Sequence, residues 1–330
     1  MKQQFNDEPI VIVTGGVGFI GSCLVRNLND AGVKNIILVD DLGKGIKWRN
    51  LLGKSFIDVL DKSQLFKWLE GKESAIGAIV HLGACTKTIE DDASYLLENN
   101  YRYTVNLAEY AFRNDIRFVY ASSAATYGDG QQGFSDSYES LENLRSLNMY
   151  GMSKQLFDVW AKREGYLDKI VGLKFFNVFG PNEFHKGRMA SAIVHVLPTI
   201  QKEGVIRLFK SSQPDLYCDG GQMRDFVYVK DVVRMICAFL SNGATGLFNI
   251  ASGRAASWND LAAAIFSALN LPLKIEYIPM PEDLIGKYQN YTCADMEKTR
   301  AAIGNIADCM TLEDSVKDYI QNYLLPDQIW

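Results

Sequence analysis

The 330-residue chain lacks the features of several broad classes of protein. No apolar run reaches the roughly 18 residues that a membrane-spanning helix needs, and residues 1–8 are too polar for a secretion signal. The cysteines form no C-x-x-C pair, and the histidines have no metal-ligand spacing. We therefore expect a cytoplasmic protein with reduced thiols, no membrane association and no metal site.

The sequence also has no excess of positive charge. The formal net charge is −5 and no long run of Lys and Arg occurs, so we expect no nucleic-acid partner. The composition is otherwise globular, with 48% apolar and 22% charged residues. An acidic chain that binds an anionic nucleotide must use local dipoles and a few well-placed cations.

A glycine-rich turn follows the first apolar, β-branched segment. Pro9 to Thr14 is typical of a buried parallel strand, and Gly15, Gly18 and Gly21 follow at G-x-x-G-x-x-G spacing before an amphipathic stretch. Such glycines permit a tight turn, a close approach to a pyrophosphate and close packing of helix on strand. The N-terminus of the following helix attracts phosphates. This order of elements predicts a dinucleotide site.

A second strand, Asn35 to Val39, ends in two acidic residues, Asp40 and Asp41. Asp40 follows the glycines by roughly 20 residues, where a carboxylate binds a ribose hydroxyl in NAD-binding proteins. The same carboxylate would repel the 2′-phosphate of NADP, but Lys44 and Lys47 could offset that repulsion. The choice between the two cofactors stays open from these residues alone.

Strands and helices alternate through the first half of the chain, which predicts an α/β fold with a Rossmann-type doubly wound parallel sheet and a smaller mixed α/β substrate domain. We expect the Rossmann domain at 1–176 with a return segment at about 225–250, and the substrate domain at 177–224 and about 251–330. Further predicted elements are strands near Phe56 and Ile57 and at Ile76 to Leu82, Ile116 to Ala121, Ile170 to Phe176 and Asp225 to Asp231 (the last returning to the main sheet), and helices from about Asp91 to Arg113 and Met189 to Ile200.

Tyr150 and Lys154 lie four positions apart in a segment with helical character. On a helix they share one face, so the lysine ammonium can lie beside the tyrosine hydroxyl. A nearby cation lowers the pKa of a phenol, and such a tyrosine can exchange a proton with a sugar hydroxyl near neutral pH. Ser123 lies at the carboxyl end of the strand Ile116 to Ala121.

Together the glycine turn, Ser123 and the Tyr150/Lys154 pair resemble the extended short-chain dehydrogenase/reductases that act on nucleotide sugars. Within that family, the segment Phe175 to Pro181, the block His185-Lys186-Gly187-x-Met189-Ala190-Ser191 and Arg224 to Val229 resemble epimerases that invert C6 of an ADP-linked manno-heptose. The similarity continues through Tyr277 to Pro281 and Gly286 to Gln289, and so spans nearly the whole chain.

The resemblance implies transient oxidation and re-reduction of ADP-heptose with bound NADP (NAD also accepted), in a homo-oligomer that supplies heptose for the lipopolysaccharide core. It implies catalytic roles for Tyr150 and, as a second proton-handling group, Lys186, assisted by Lys154 and Ser123. The cofactor contacts it implies are Gly15, Gly18, Phe19, Ile20, Gly21, Asp40, Asp41, Lys47, Lys62, Leu82, Gly83, Ala84, Cys85, Asn99, Tyr150, Lys154, Val178 and Lys186. The substrate contacts it implies are Ser123, Asn177, Arg188, His195, Phe209, Arg224 and Tyr288.

Two alternative functions and two alternative residue roles stay open at this point. The chain could be another nucleotide-sugar enzyme of the same fold, such as a 4-epimerase or a 4,6-dehydratase, although Ala124 and Ala125 stand where a dehydratase has an acidic pair. It could also be a non-catalytic cofactor-binding regulator, against which the retention of Ser123, Tyr150 and Lys154 argues. Lys186 could be a solvated loop lysine, and His195 a core residue.

Overall fold

The computed structural model describes residues 8–139, 141–281 and 289–330. In these residues the strands are β1 (Ile10–Thr14), β2 (Ile36–Asp40), β3 (Asp58–Asp61), β4 (Ile76–His81), β5 (Arg117–Ser123), β6 (Val171–Phe175), β7 (Asn177–Phe179), β8 (Ile206–Phe209), β9 (Met223–Tyr228), β10 (Gly246–Ile250), β11 (Ala255–Ser257) and β12 (Ile275–Ile278). The α-helices are α1 (Phe19–Asp30), α2 (Leu65–Leu69), α3 (Ala93–Leu96), α4 (Tyr103–Arg113), α5 (Met149–Arg163), α6 (Ala192–Glu203), α7 (Val229–Ser241), α8 (Trp258–Ala268), α9 (Glu297–Ile303) and α10 (Leu312–Tyr319).

Seven parallel strands form the main sheet, in the order β10-β6-β5-β4-β1-β2-β3. The inner strands are rich in apolar residues because helices cover both faces; in β1, for example, Ile10, Ile12 and Val13 are 0% exposed. The expected Rossmann-type doubly wound sheet is thereby confirmed. Among the helices of the described ranges, none is long and apolar enough to cross a membrane.

A second core lies outside the main sheet. Ile193 of α6, Ile206 of β8 and Phe266 of α8 pack there with Val316 of α10. Two small sheets support this core, one of order β11-β9-β7 and one of β12 with β8. This packing provides the smaller mixed α/β unit that we expected beside the Rossmann sheet.

Some local expectations are wrong or shifted. The segment Asp225 to Asp231 does not return to the main sheet, because β10 occupies the edge beside β6 and β9 pairs with β7 instead. The strand expected near Phe56 and Ile57 is β3, which begins at Asp58. The helix expected from Asp91 to Arg113 forms as α3 and α4 joined by a π-helical turn at Leu97–Arg102.

Candidate active site

A cavity of about 830 Å³ opens at the carboxyl ends of the parallel strands. This edge is where open α/β sheets bind their ligands. Residues from the glycine turn, from the ends of β2, β4 and β5, from the start of α5 and from the segment 185–189 line it. Its size suits a dinucleotide or a nucleotide sugar, since ligand pockets commonly measure about 300–1,000 Å³.

The glycine turn is packed too closely to carry side chains. A Cβ added to Gly15, whose φ is +66°, would lie 2.7 Å from the backbone nitrogen of Gly83, and one added to Gly21 would collide with the carbonyl oxygen of Gly15. The N-cap residue of α1 is Gly18, so no side chain caps the first N–H groups of this helix. The turn therefore brings bare backbone and the N-terminus of α1 to the cavity, as a phosphate cradle requires.

Asp40, at the end of β2, is engaged within the protein. Its Oδ2 accepts a hydrogen bond from the backbone N–H of Val17 at 2.9 Å, inside the glycine turn. Its Oδ1 accepts from Lys47 and from the backbone N–H of Asp41. Asp40 thus braces the turn, and its negative charge is paired with the Lys47 ammonium.

Ser123, Tyr150 and Lys154 meet on one side of the cavity, which we call the sheet wall. Ser123 ends β5, and its Oγ accepts from the N–H of Ala125 at 3.1 Å. Asn148 caps α5 through a bond from the N–H of Gly151, so Tyr150 lies in the first helical turn. Lys154 is buried one turn later, where its Nζ donates to the carbonyl of Ala121 at 2.7 Å.

The electrostatics of the sheet wall differ from what the sequence predicts. Burial raises the pKa of Tyr150, and a hydrogen bond with Ser123 opposes that rise only in part. The prediction of a lowered tyrosine pKa is therefore wrong, because removal of the hydroxyl from water disfavours the phenolate. Burial also lowers the pKa of Lys154 to about 8, against the opposing charge of Asp158.

A fully buried ion pair lies behind the sheet wall. Asp158, on the same face of α5 as Tyr150 and Lys154, accepts from Lys174 Nζ at 2.6 Å and from Ser122 Oγ at 2.8 Å. Lys174, on β6, also donates to Thr126 Oγ1 at 2.8 Å. Both charged side chains are 0% exposed. The pair therefore ties α5 and β6 to residues that flank Ser123.

His81 lies beneath the cavity at the end of β4. Its ring nitrogens contact Thr14 Oγ1 at 2.6 Å and Thr104 Oγ1 at 2.9 Å. Burial, with a smaller influence of the Lys154 charge, lowers the pKa of His81 to about 3. The imidazole is therefore neutral near pH 7 and serves the packing of β4 against β1 and α4.

Lys186 approaches the cavity on the segment 183–191, which we call the loop wall. The segment turns at Gly187, whose φ is +53°. Lys186 Nζ lies 5.3 Å from the centre of the Phe19 ring, within the range of a cation–π contact. Burial lowers the pKa of Lys186, and the charge of Glu183 opposes that change. Lys186 is therefore a half-buried amine and not a freely solvated one.

Most of the residues named from the sequence line this one cavity. They are Gly15, Gly18, Phe19, Ile20, Gly21, Asp40, Asp41, Lys47, Lys62, Leu82, Gly83, Ala84, Cys85, Asn99, Ser123, Tyr150, Lys154, Asn177, Val178 and Lys186. Sequence reasoning assigned no role to His185, Tyr95 or Tyr103, which line it too. His185 could have been predicted to line the cavity, because it directly precedes Lys186 in the block His185 to Ser191.

The remaining substrate candidates lie elsewhere. Arg188 and His195 are exposed, and Phe209 is half-buried at the end of β8. Arg224 is buried in β9, where it donates to the carbonyl of Met223 at 2.8 Å. None of these four is among the described residues that line the cavity. Tyr288 falls outside the described residues, as do Gly286 and Lys287.

Comparison with known proteins gives a consistent picture. Residues 11–251 match the NAD dependent epimerase/dehydratase family. The chain is 50% identical over 316 residues to the ADP-L-glycero-D-manno-heptose-6-epimerase of Nitratidesulfovibrio vulgaris, covering 95% of this chain and 97% of that protein. It is 46% identical over 327 residues to the protein of the same name from Fusobacterium nucleatum, covering 96% and 98%. The crystal structure of the Helicobacter pylori ADP-L-glycero-D-manno-heptose-6-epimerase superposes with a TM-score of 0.78 at 25% identity, covering 96% of each chain.

Proposed function

Because the chain belongs to the NAD-dependent epimerase/dehydratase family, we propose that it acts on the ADP-linked heptose for which its curated relatives are named. It is an epimerase that uses a nicotinamide cofactor. The specific reaction would invert C6 of ADP-D-glycero-β-D-manno-heptose to give the L-glycero epimer, as a source of heptose for the lipopolysaccharide core. The observation that carries this proposal is that Tyr150 and Lys186 line one cavity together with the glycine turn.

The residues at the glycine turn fit a dinucleotide, because side chains there would fill the cradle that the pyrophosphate needs. When bound, the nicotinamide would supply reversible hydride transfer at C6 of the sugar. Lys154 would hold the nicotinamide end and Asp41 and Lys47 the adenosine end, and Lys62 and Asn99, whose side chains are joined by a 2.8 Å hydrogen bond, would contact the cofactor together.

Tyr150 and Lys186 would handle the proton of the C6 hydroxyl. Inversion through a planar carbonyl presents its oxygen to the protein from two directions, and one tyrosine cannot reach both within the roughly 3 Å that proton transfer needs. The raised pKa of Tyr150 keeps Oη protonated and suits it to donate a proton. The lowered pKa of Lys186 makes its Nζ a better base than an ordinary lysine.

NADP is the cofactor that we propose, for a reason based on Asp40. Its carboxylate is engaged by Val17 and paired with Lys47, so a 2′-phosphate would meet a partly neutralised site. We expect Lys47→Met to weaken the binding of NADP about tenfold while NAD binding changes little, because one charge-assisted contact is lost. Titration of the cofactor-free protein with each nucleotide measures both affinities. Equal weakening of both would contradict the role of Lys47.

The central test is incubation with ADP-D-glycero-D-manno-heptose and observation of the C6 configuration by NMR. Deuterium placed at C6 should remain at C6 of the product without added cofactor, and Tyr150→Phe is the matched inactive control. Loss of the label to solvent would contradict hydride transfer and favour carbanion chemistry. A 4,6-dehydratase would release water instead, but Ala124 and Ala125 carry no acid for that elimination.

A further inference from the structure

Glu183 is a buried carboxylate at the start of the loop wall. Glu183 is only 1% exposed to solvent. One oxygen accepts from the backbone N–H of Ser191 at 2.6 Å, and the other accepts from Ser191 Oγ at 2.7 Å and from the N–H of Gly180 at 3.2 Å. The carboxylate therefore connects the two ends of the segment 183–191.

Glu183 also contacts the backbone of Lys186 and a side chain of the second core. Its carbonyl oxygen accepts from the backbone N–H of Lys186 at 2.9 Å, and Tyr319 of α10 forms a side-chain hydrogen bond with its carboxylate. Ser191 directly precedes α6 and is its N-terminal cap. Glu183 thus holds the loop of Lys186 to α6 and α10.

Burial of this carboxylate is costly. The hydrogen-bond donors described above are neutral, and burial raises the pKa of Glu183. A carboxylate removed from water without a paired cation loses much more solvation free energy than an amide of the same shape. If Glu183 only had to close a loop, an amide side chain could supply part of the same bonding at lower cost. A carboxyl group at this position in place of an amide therefore points to a role toward Lys186, whose charge acts on Glu183.

We propose that Glu183 is a positioning residue for Lys186. The carboxylate of Glu183 closes the loop wall, and its negative charge favours the protonated form of Lys186. This inference rests on the proposed function, because it takes Lys186 as the second proton-handling group. The groups that face Lys186 are Glu183 and His185 from the loop wall and the Phe19 ring from α1. Lys47 and Asp40 face His185 in turn.

The first test is Glu183→Gln in the full-length protein. We expect epimerisation to fall about tenfold to a hundredfold, since a displacement of about 1 Å can have that effect on a reacting group. The limb of the pH–rate profile that reports Lys186 should move to lower pH, because the charge that favours its ammonium is gone. Dismutation of an aldehyde analogue of the substrate needs one proton-handling group and should change less than about threefold.

Ser191→Ala is the matched control. It removes one hydroxyl donor to Glu183 but keeps the carboxylate and the backbone N–H of Ser191. We expect a smaller loss of epimerisation, with the pH limb unmoved. If Glu183→Gln fails to fold, as shown by circular dichroism, Ser191→Ala still tests the positioning role, because its effect should disappear in a Lys186→Met background.

A double-mutant cycle separates the two proposals. Epimerisation by Lys186→Met at the wild-type rate would overturn the proposed two-group function and, with it, this inference. If Lys186→Met is crippled, adding Glu183→Gln should cause no further loss. Losses that multiply, together with a pH limb that does not move in Glu183→Gln, would leave the proposed function standing and overturn the positioning role of Glu183.

Discussion

The sheet wall and the loop wall bury a carboxylate each, but they satisfy it differently. Asp158, behind the sheet wall, has a cationic partner in Lys174 and lies between a helix and a strand of the main sheet. Glu183, in the loop wall, has neutral donors and closes an irregular segment. The ion pair behind the sheet wall joins a helix to a strand by charge, whereas Glu183 joins the two ends of an irregular segment through neutral donors.

This difference indicates that Tyr150 and Lys186, to which we assign proton transfer, differ in how much structural change each position tolerates. Tyr150 is held by the capped start of α5 and by the ion pair two turns beyond it. Lys186 is held through one carboxylate and a turn at Gly187. The cavity is thus bounded on one side by regular elements joined by an ion pair and on the other by an irregular segment. The following predictions test that contrast, from the largest expected effect to the smallest.

Loss of the tyrosine hydroxyl should be the most damaging change. Tyr150→Phe removes the proton-transferring group but keeps the ring, so we expect turnover to fall by about 10²–10⁴-fold. The content of bound cofactor should stay close to wild type. Turnover in the NMR assay and the absorbance of extracted cofactor measure the two quantities. Near-normal epimerisation by this variant would remove Tyr150 from the reaction.

The two carboxylates should differ in their contribution to stability. Lys174→Met leaves Asp158 charged and unpaired, so we expect the free energy of unfolding to fall by about 3–5 kcal/mol. Glu183→Gln keeps shape and loses an acceptor, which costs about 1–3 kcal/mol. Urea denaturation measures both changes. The double variant Asp158→Leu/Lys174→Met should recover much of the loss, and equal costs in the two single variants would refute the contrast.

Removal of the loop-wall amine should separate two reactions. Lys186→Met should lower epimerisation about a hundredfold, because proton transfer on the second side of the substrate is lost. Dismutation of an aldehyde analogue should persist in part, since Tyr150 alone can serve it. The matched control is Lys186→Arg, which keeps a cation but not a base. If Lys186→Met epimerises normally, a single tyrosine with a mobile intermediate becomes the better mechanism.

The free energy of unfolding should fall in acid because of His81, which packs β4 against β1 and α4. The folded protein binds a proton there only near pH 3, whereas an unfolded histidine binds one near 6.5. Between these values the unfolded state holds more protons, so stability falls as pH falls, by about 1.4 kcal/mol per pH unit from this group. His81→Gln should make the measured slope between pH 6 and pH 4 shallower by roughly that amount. An unchanged slope would show that His81 is protonated in the fold.

Local sequence patterns predicted the main sheet well. The β-branched run before Gly15, the glycine spacing and the alternation up to Phe175 are short-range signals, and the structure confirms the elements they indicate. The pairing of β9 with β7 was mispredicted, because it depends on β10 occupying the edge beside β6. The order of strands along the sequence does not show whether β9 or β10 pairs with β6.

The candidate site was predictable in its residues but not in its electrostatics. The sequence motifs identified Ser123, Tyr150, Lys154 and Lys186, and all four line one cavity. The roles assigned to them stay predictions. The raised pKa of Tyr150 was mispredicted, since burial is a property of the assembled walls. Asp158 was missed although it follows Lys154 by one helical turn, and that spacing was the available signal.

Redesign of cofactor preference would meet an obstacle at the end of β2. Exchanging a strand-end acid for a neutral residue is the obvious route to an altered preference, since that position faces the adenosine ribose. Here the same carboxylate holds the backbone of Val17. A library that varies Asp40 would therefore select first for proteins that keep the glycine turn in place and only then for a new nucleotide. Because Lys47 is paired with the same carboxylate, the two positions have to be varied together.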